Sequence, residues 1–240
     1  MKRNQSGFTL IEIAIVLVII GLLLGGVLKG QELINSAKVK NLATDFKNIP
    51  IYIYGYQDKY KALPGDDANA QAHLGTSAKQ GPIPPAGNGI INGPWTWTSP
   101  AVAVQTDESY LFWQHIRLAG FGPGSTDTTQ PSSYLPTNAV GGPIGVTNSL
   151  TVANGGNNPI PPDPTATPPI PGLVGTYIVC SGSIPFKFAK QLDVTLDDGN
   201  TATGSLQVTL TSDGTPGVPV PTSGTGAPSD DTPVTVCMGF

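Results

Sequence analysis

Residues 8–28 read FTLIEIAIVLVIIGLLLGGVL, and this stretch decides how the rest of the chain is organised. It is an apolar run that contains a single charged side chain, Glu12. A helix of this length rises about 30 Å, which is close to the thickness of the hydrocarbon core of a bilayer. We therefore predict that residues 8–28 form a membrane-spanning helix.

The flanks of this run indicate its orientation. The short polar leader MKRNQSG carries Lys2 and Arg3, and basic residues tend to remain on the cytoplasmic side of a membrane. A secretory signal peptide would place an A-x-A-like cleavage site after its apolar region, and no such site follows residue 28. We therefore expect the bulk of the chain to be exported while it stays attached to the membrane.

Glu12 is the unusual residue of the run. An ionised carboxylate inside hydrocarbon costs roughly 2.5–3.5 kcal/mol on insertion scales, so such a group usually has a partner or a function. Glu12 lies four residues after Phe8, near one end of the run, where snorkelling would lower this cost. An interfacial glutamate without a role is the simpler alternative.

Six residues that open the apolar run carry a family resemblance: Gly7, Phe8, Thr9, Leu10, Ile11 and Glu12. With the basic leader before them, they resemble the N-terminus of type IV pilins, a family that includes the pseudopilins of type II secretion. The resemblance implies that a prepilin peptidase cuts between Gly7 and Phe8 and methylates the new amine of Phe8. It also implies single-pass insertion in a bacterial inner membrane, followed by assembly into a periplasmic or cell-surface filament.

Charge pairing gives Glu12 an assembly role in such a filament. A helix packed alongside with an axial offset would set its Glu12 against the Phe8 amine of its neighbour, so that two costly charges neutralise each other. The expected partners are identical or homologous subunits, the prepilin peptidase, and an inner-membrane assembly platform with its ATPase.

Composition and periodicity predict an α+β protein with long Gly/Pro-rich loops. The chain has 240 residues, of which 30 are Gly and 24 are Pro, a share well above average usage but below that of a wholly disordered chain. The predicted organisation is a leader (1–7), a transmembrane and assembly helix (8–28), an amphipathic helix continuing it (29–60), and an exported globular domain with an antiparallel sheet (61–240). Pro50 and Gly55 predict a kink or a local stop near Asn48.

Local patterns predict the elements of this domain. Residues 107–120 begin with acidic side chains and end with Gly120, which is typical of a short helix. Alternation of β-branched residues predicts strands at 144–146, 149–152, 174–180, 192–196, 205–211 and 233–238. The DDGN sequence at 197–200 predicts a hairpin between two of these strands.

The chain has two cysteines, Cys180 and Cys237, in its exported half. An isolated pair usually forms a disulfide in an oxidising compartment, and pilins often carry one such bond in their C-terminal region. A metal site would need further ligands beside the two thiolates. We therefore expect Cys180 to bond with Cys237.

Other chemistry has little support in the sequence. The net charge of −4 gives no electrostatic footprint for nucleic acid. No hydrolase, zinc-protease, Walker or dinucleotide motif occurs, so we predict a non-enzymatic protein without a cofactor.

The two histidines are not interpreted as catalytic residues or ligands: His115 is interpreted as structural and His73 as solvated. Calcium is the one ligand considered, because the resemblance implies it for some type II pseudopilins and because two clusters offer hard oxygens, although neither has the spacing of an EF-hand loop: Asp66, Asp67 and Asn69, and Asp197, Asp198 and Asn200.

The leading hypothesis is a structural subunit of a type IV pilus-like filament, with adhesion or surface recognition carried by its Gly- and Pro-rich loops. The first alternative is a pseudopilin of a type II secretion system. The second, of another class, is a membrane-tethered protein that binds carbohydrate or peptide on Trp95, Trp97 and Trp113. This last alternative predicts an uncleaved anchor and gives Glu12 no role.

Overall fold

The computed structural model of the protein describes residues 10–81, 87–96, 106–150, 156–162, 172–211 and 216–240. Within these residues the fold is α+β, with a long N-terminal helix followed by a part that contains an antiparallel sheet. The helices are α1 (Leu10–Tyr60), α2 (Ala70–Leu74), α3 (Glu108–Leu118), α4 (Pro131–Tyr134) and α5 (Phe186–Leu196). The strands are β1 (Ile144–Asn148), β2 (Tyr177–Pro185), β3 (Leu206–Thr209) and β4 (Pro233–Gly239).

The sequence predicted a kink or a local stop near Asn48, and helix α1 passes through Pro50 without ending, so the stop does not occur. A proline inside a helix removes the hydrogen bond from its own nitrogen to the carbonyl four residues earlier. Here the turns before and after Pro50 each bury apolar side chains, with Phe46 1%, Ile49 3% and Ile53 0% exposed. Burial on both sides of the proline outweighs one lost hydrogen bond, because each such side chain contributes about 1.5–3 kcal/mol.

The sheet has the strand order β1-β2-β4-β3, with every neighbouring pair antiparallel. The two central strands, β2 and β4, place Cys180 opposite Cys237, and a disulfide bond joins these residues. The register of β2 against β4 shifts between Ser181 and Ile184, where Ser183 adopts a positive φ of 57°. This irregularity is a bulge, which bends the end of β2 before α5 begins.

Segment 192–196, predicted as a strand, is the last part of helix α5, and this prediction is wrong. Its pattern of apolar and polar residues is compatible with the two-residue period of a strand and with the 3.6-residue period of a helix. The segment is helical because it continues a helix whose Phe186, Ala189 and Leu192 lie on one buried face at helical spacing. The hairpin predicted at 197–200 is wrong for the same reason. This turn joins a helix, α5, to strand β3.

The other predicted elements correspond more closely. The helix predicted at 107–120 is α3, and the strands predicted at 144–146, 205–211 and 233–238 are β1, β3 and β4. The strand predicted at 174–180 lies further along the chain, as β2. Of the strand predicted at 149–152, the first two residues are not in a strand and the other two lie outside the described residues.

The chain divides into two compact units, one ending at Lys40 and the other running from Asn41 to Phe240. The boundary falls within α1, so residues 41–60 of this helix belong to the second unit. Strands β2 and β4 contribute to the centre of that unit, in an apolar cluster formed by Trp95, Ile160, Leu173, Ile178, Cys180 and Cys237.

Candidate functional site

The first part of α1, residues 10–28, keeps its large apolar side chains exposed. Their exposed fractions run from 46% for Ile20 to 91% for Leu10. By length and composition this helix can cross a membrane, and the mean hydropathy of its most apolar window is 2.8. Side chains of this kind are stable only against lipid or against other apolar helices.

Glu12 lies exposed in the first turn of α1. Gly7 and Phe8, the residues of the predicted cleavage site, lie outside the described residues. The structure therefore describes the position of Glu12, whereas cleavage between Gly7 and Phe8 stays a prediction.

The glycines of this segment have no packing role within the described part of the chain. A Cβ atom added at Gly21, Gly25 or Gly26 would meet nothing within 4 Å. Glycine weakens an exposed helix by about 1 kcal/mol relative to alanine, so a glycine with no neighbour is an unfavourable choice for an isolated helix. Close approach of a second helix is one physical reason to keep such residues.

The first calcium candidate, around Asp66, is occupied by backbone donors. The carboxylate of Asp66 accepts hydrogen bonds from the amides of Gly87 (2.5 Å), Asn88 (3.1 Å) and Gly89 (2.6 Å). These partners lie more than 20 residues away along the chain. Three N–H groups aimed at one carboxylate disfavour a cation at the same oxygens.

The neighbouring Asp67 holds α1 against α2. Its Oδ2 accepts from the Tyr56 hydroxyl (2.7 Å) and from His73 Nδ1 (2.6 Å), while its Oδ1 accepts from the amide of Asn69 (2.8 Å). Burial by itself would raise the pKa of Asp67, but these hydrogen bonds outweigh it and the pKa is lowered. The interpretation of His73 as merely solvated is wrong, since its ring is bonded to Asp67 and stacks on Tyr60.

His115 is structural, as the sequence suggested. The ring is completely buried and accepts a hydrogen bond at Nδ1 from the amide of Gly65 (2.9 Å). Its Nε2 therefore carries the proton and donates to the carbonyl of Lys79 (2.7 Å). Burial lowers the pKa of His115, because the charged ring would lose its hydration.

Glu108 is a buried acid that the sequence analysis passed over. It opens α3, is 1% exposed, and accepts two hydrogen bonds of 2.8 Å at Oε2 from the backbone and side-chain nitrogens of Asn92. Burial raises the pKa of Glu108 to about 7, and the nearby Asp66 carboxylate acts in the same direction. No motif marks this residue in the sequence, since its burial depends on a loop folding back over α3.

The second calcium candidate lies at the end of α5. Asp197 and Asp198 follow this helix, and the structure adds Asp193, one turn earlier, to the same cluster. Asp193 was missed because segment 192–196 was interpreted as a strand. Recognition of α5 would have placed Asp193 in its last turn, just before the turn that carries Asp197 and Asp198.

Two of the three tryptophans are buried. Trp95 is 2% and Trp113 is 4% exposed, and Trp95 belongs to the central apolar cluster. The prediction that these two rings form a stacking surface for carbohydrate or peptide is therefore wrong. Trp97 lies outside the described residues.

Comparison with known families finds one match. Residues 2–28 match the family model of the prokaryotic N-terminal methylation motif, which is the signature of the prepilin-type segment of type IV pilins and pseudopilins. No curated protein and no solved structure matches the chain significantly. The prepilin-type segment is thus shown for the start of the chain, where the sequence analysis placed it.

Proposed function

We propose that this chain, which starts with a prepilin-type segment, is a structural subunit of a type IV pilus-like filament. The observation that carries the proposal is the coincidence of the methylation motif over residues 2–28 with an exposed apolar helix whose first described turn contains Glu12. The inner-membrane anchor precedes assembly, and the same helix then becomes the contact between subunits.

The apolar helix supplies the free energy of insertion and assembly. Transfer of each large apolar side chain out of water contributes about 1.5–3 kcal/mol, and in residues 10–28 these side chains gain little from the chain itself. A bilayer accepts the helix before assembly. Neighbouring subunits replace the lipid afterwards, and Gly21, Gly25 and Gly26 allow their backbones to approach closely.

Glu12 supplies register. A cut between Gly7 and Phe8 leaves a positive amine four residues before Glu12, which is an axial distance of about 6 Å along a helix. A neighbour shifted by this distance sets its own Glu12 against the amine, and the two charges then neutralise each other. Any other offset leaves both charges without compensation in an apolar core, so one helical arrangement is selected.

The proposal names the machinery that the chain requires. A prepilin peptidase removes residues 1–7 and methylates Phe8, and an assembly platform with its ATPase extracts the subunit from the inner membrane. Lys2 and Arg3 keep the leader cytoplasmic, so residues from 29 onwards face the exported side. The disulfide between Cys180 and Cys237 suits an oxidising compartment of this kind.

A type II secretion pseudopilin carries the same segment and is the alternative assignment. We favour a pilus subunit because the part of the chain that follows the anchor is large and rich in Gly and Pro loops, a form suited to surface recognition. Electron microscopy of cells that express the protein discriminates between the two. Fibres on the cell surface support a pilus, whereas loss of protein secretion on deletion, without fibres, supports a pseudopilus.

The decisive experiment is the intact mass of the membrane-extracted protein from cells with and without prepilin peptidase. We expect loss of MKRNQSG and gain of one methyl group in the first strain, and the full-length chain in the second. The peptidase-deficient strain is the control, since it carries the same protein. A full-length chain in both strains would remove the basis of the proposal and would favour a permanently tethered protein.

A further inference from the structure

A cavity of about 610 Å³ lies beside the C-terminal end of α1. Its volume falls within the range of about 300–1,000 Å³ that small-molecule sites occupy. Residues of α1, of the turn 61–69, of α2 and of the loop 87–89 line it, and Thr176 adds a hydroxyl from the segment before β2. Neither Trp95 nor Trp113 lines this cavity, so it is separate from the tryptophan surface that the fold rules out.

Three neutral polar side chains line the cavity: Gln57, Asn69 and Thr176. None of them makes a side-chain hydrogen bond to the part of the chain that the structure describes. Asn69 and Thr176 are exposed, so a ligand from solvent can reach them. Each amide offers a donor and an acceptor on neighbouring atoms, and the hydroxyl offers both on one atom. The cavity thus presents hydrogen-bonding groups to a ligand that carries such groups of its own.

His73 adds a ring whose orientation is fixed by two contacts. Its Nδ1 donates to Asp67 Oδ2 at 2.6 Å, and the ring stacks on Tyr60 with the centroids 5.2 Å apart. The side chain is 29% exposed, and its Nε2 has no hydrogen-bond partner among the described residues. With the proton on Nδ1, the neutral ring presents Nε2 as an acceptor. A group held in place before binding loses little conformational freedom when a ligand arrives.

The charged groups of the cavity are already compensated. Asp66 and Asp67 are 2% and 1% exposed, and the amides of residues 87–89 donate to the Asp66 carboxylate. Lys61 Nζ lies 3.3 Å from a carboxylate oxygen of Asp58. An anionic ligand would meet two buried carboxylates, and a cationic ligand would compete with the hydrogen bonds that these carboxylates already accept. The cavity therefore favours an uncharged ligand.

We propose that this cavity binds an uncharged sugar. Neighbouring hydroxyl groups of a sugar donate and accept hydrogen bonds, which matches the amides of Gln57 and Asn69 and the Nε2 of His73. The apolar side chains of Ala62 and Leu63 line the same cavity and suit the C–H face of a sugar ring. A peptide backbone is also uncharged, but it spaces its polar groups along an extended chain at about 3.3 Å per residue, whereas the groups here surround one cavity.

The test uses the full chain in micelles of a detergent without a sugar headgroup, so that the detergent cannot fill the cavity. Binding of glucose, galactose and N-acetylglucosamine is measured by saturation-transfer NMR and by the change in unfolding temperature. We expect at least one of these sugars to bind and to raise the unfolding temperature. The amino and uronic-acid forms of that sugar, which are charged at pH 7, should bind about tenfold more weakly, because burying an uncompensated charge is costly.

Three substitutions and one matched control locate the sugar. Gln57→Ala and Asn69→Ala each remove one contact to the sugar, and both should fold because neither side chain makes a hydrogen bond within the described residues. We expect each to weaken binding about fivefold to tenfold, the loss typical of one hydrogen bond. His73→Phe keeps a ring that can stack on Tyr60 but removes Nε2, and it should weaken binding at least as much. Gln191→Ala is the control, because Gln191 is an exposed amide on α5 that does not line the cavity.

Three results would overturn the proposal. The first is that the unaltered protein binds none of the three sugars. The second is equal binding by Gln57→Ala, Asn69→Ala and Gln191→Ala, which would place the sugar elsewhere even if His73→Phe failed to fold. The third is binding of triglycine in place of the sugars, which would assign the cavity to a peptide. All three are independent of N-terminal processing, which the mass measurement tests separately.

Discussion

Helix α1 contains two regions that differ in the exposure of their apolar side chains. In residues 10–28 the large apolar side chains are exposed. In residues 42–56 one stripe is buried, with positions that alternate in steps of four and three: Leu42, Phe46, Ile49, Ile53 and Tyr56. A single continuous helix thus carries both kinds of surface.

The difference lies in the periodicity of the two regions. Residues 10–28 are apolar on all sides of the helix, so no single face can be satisfied by one neighbouring layer of the same chain. In residues 42–56 the buried apolar side chains lie on one side of the helix, and Lys47, Ile51 and Tyr54 are exposed on another. The first region depends on lipid or other subunits, and the second on the unit that runs from Asn41 to Phe240.

The largest expected effect concerns the first region. Glu12→Ala should abolish filament assembly and leave membrane insertion intact, because it removes the charge that compensates the Phe8 amine but keeps the helix apolar. Filament yield after shearing and the amount of protein in the membrane fraction measure the two effects. Glu32→Ala is the matched control, since Glu32 is exposed and pairs with Lys29 in the same helix. Assembly of Glu12→Ala at normal yield would contradict the charge-pairing mechanism.

The next effect is confined to the second region. Replacement of both Cys180 and Cys237 by serine opens a link between residues 57 positions apart and should lower the free energy of unfolding by about 4 kcal/mol in the chain-entropy model. Urea unfolding followed by circular dichroism measures the loss. The unaltered protein with reductant should behave like the double variant, and membrane insertion should not change. A loss below about 1 kcal/mol would mean that the unfolded chain is already restricted without the bond.

Two isoleucines of α1 sharpen the comparison within the second region. Ile53 is 0% exposed and Ile51 is 63% exposed, although they are only two residues apart. Ile53→Ala should lower the free energy of unfolding by about 3 kcal/mol, because it leaves a cavity, and Ile51→Ala by less than about 0.5 kcal/mol. Thermal or urea unfolding of the two variants gives the difference directly. Equal losses would show that the exposed face of α1 is covered in the isolated protein.

The smallest effect concerns pH. The pKa of Glu108 is raised to about 7 in the folded protein, above an unfolded value of about 4.3. Its contribution to stability is therefore complete below about pH 4 and is lost as the pH rises through about 7. Glu108→Gln keeps the shape and removes the titration, so the decline in stability between pH 5 and pH 8 should become shallower. The exposed Glu32→Gln should leave the slope unchanged, and an unaltered slope in Glu108→Gln would contradict the assignment.

Much of the molecule could be predicted from local patterns. The apolar run, the leader and Glu12 lie next to each other in the sequence, so the prepilin-type segment needed no tertiary information. Helix α3 and strands β1, β3 and β4 were also predicted, because their end signals and alternation are local. The helix continues at Pro50 and at 192–196 for one reason, since burial on a helix face overrode a local signal in both places.

For the buried aspartates, too, the residues themselves could be recognised in the sequence but their partners could not. The sequence marked Asp66 and Asp67 only as calcium candidates, and it did not predict their partners, which are the amides of residues 87–89, Tyr56 and His73. Those partners come from 6 to 23 residues away and meet the acids only when the chain folds. Asp193 entered its cluster only once α5 proved to be a helix.

The sequence by itself determined the apolar N-terminal helix, the prepilin-type segment and the acid near its start, because all three are defined by residues that are adjacent in the chain. Only the tertiary structure decided which carboxylates are buried and which of them meet. Burial and charge compensation depend on segments far apart in the chain, and the period of a short segment such as 192–196 is ambiguous until the surface that it packs against is known.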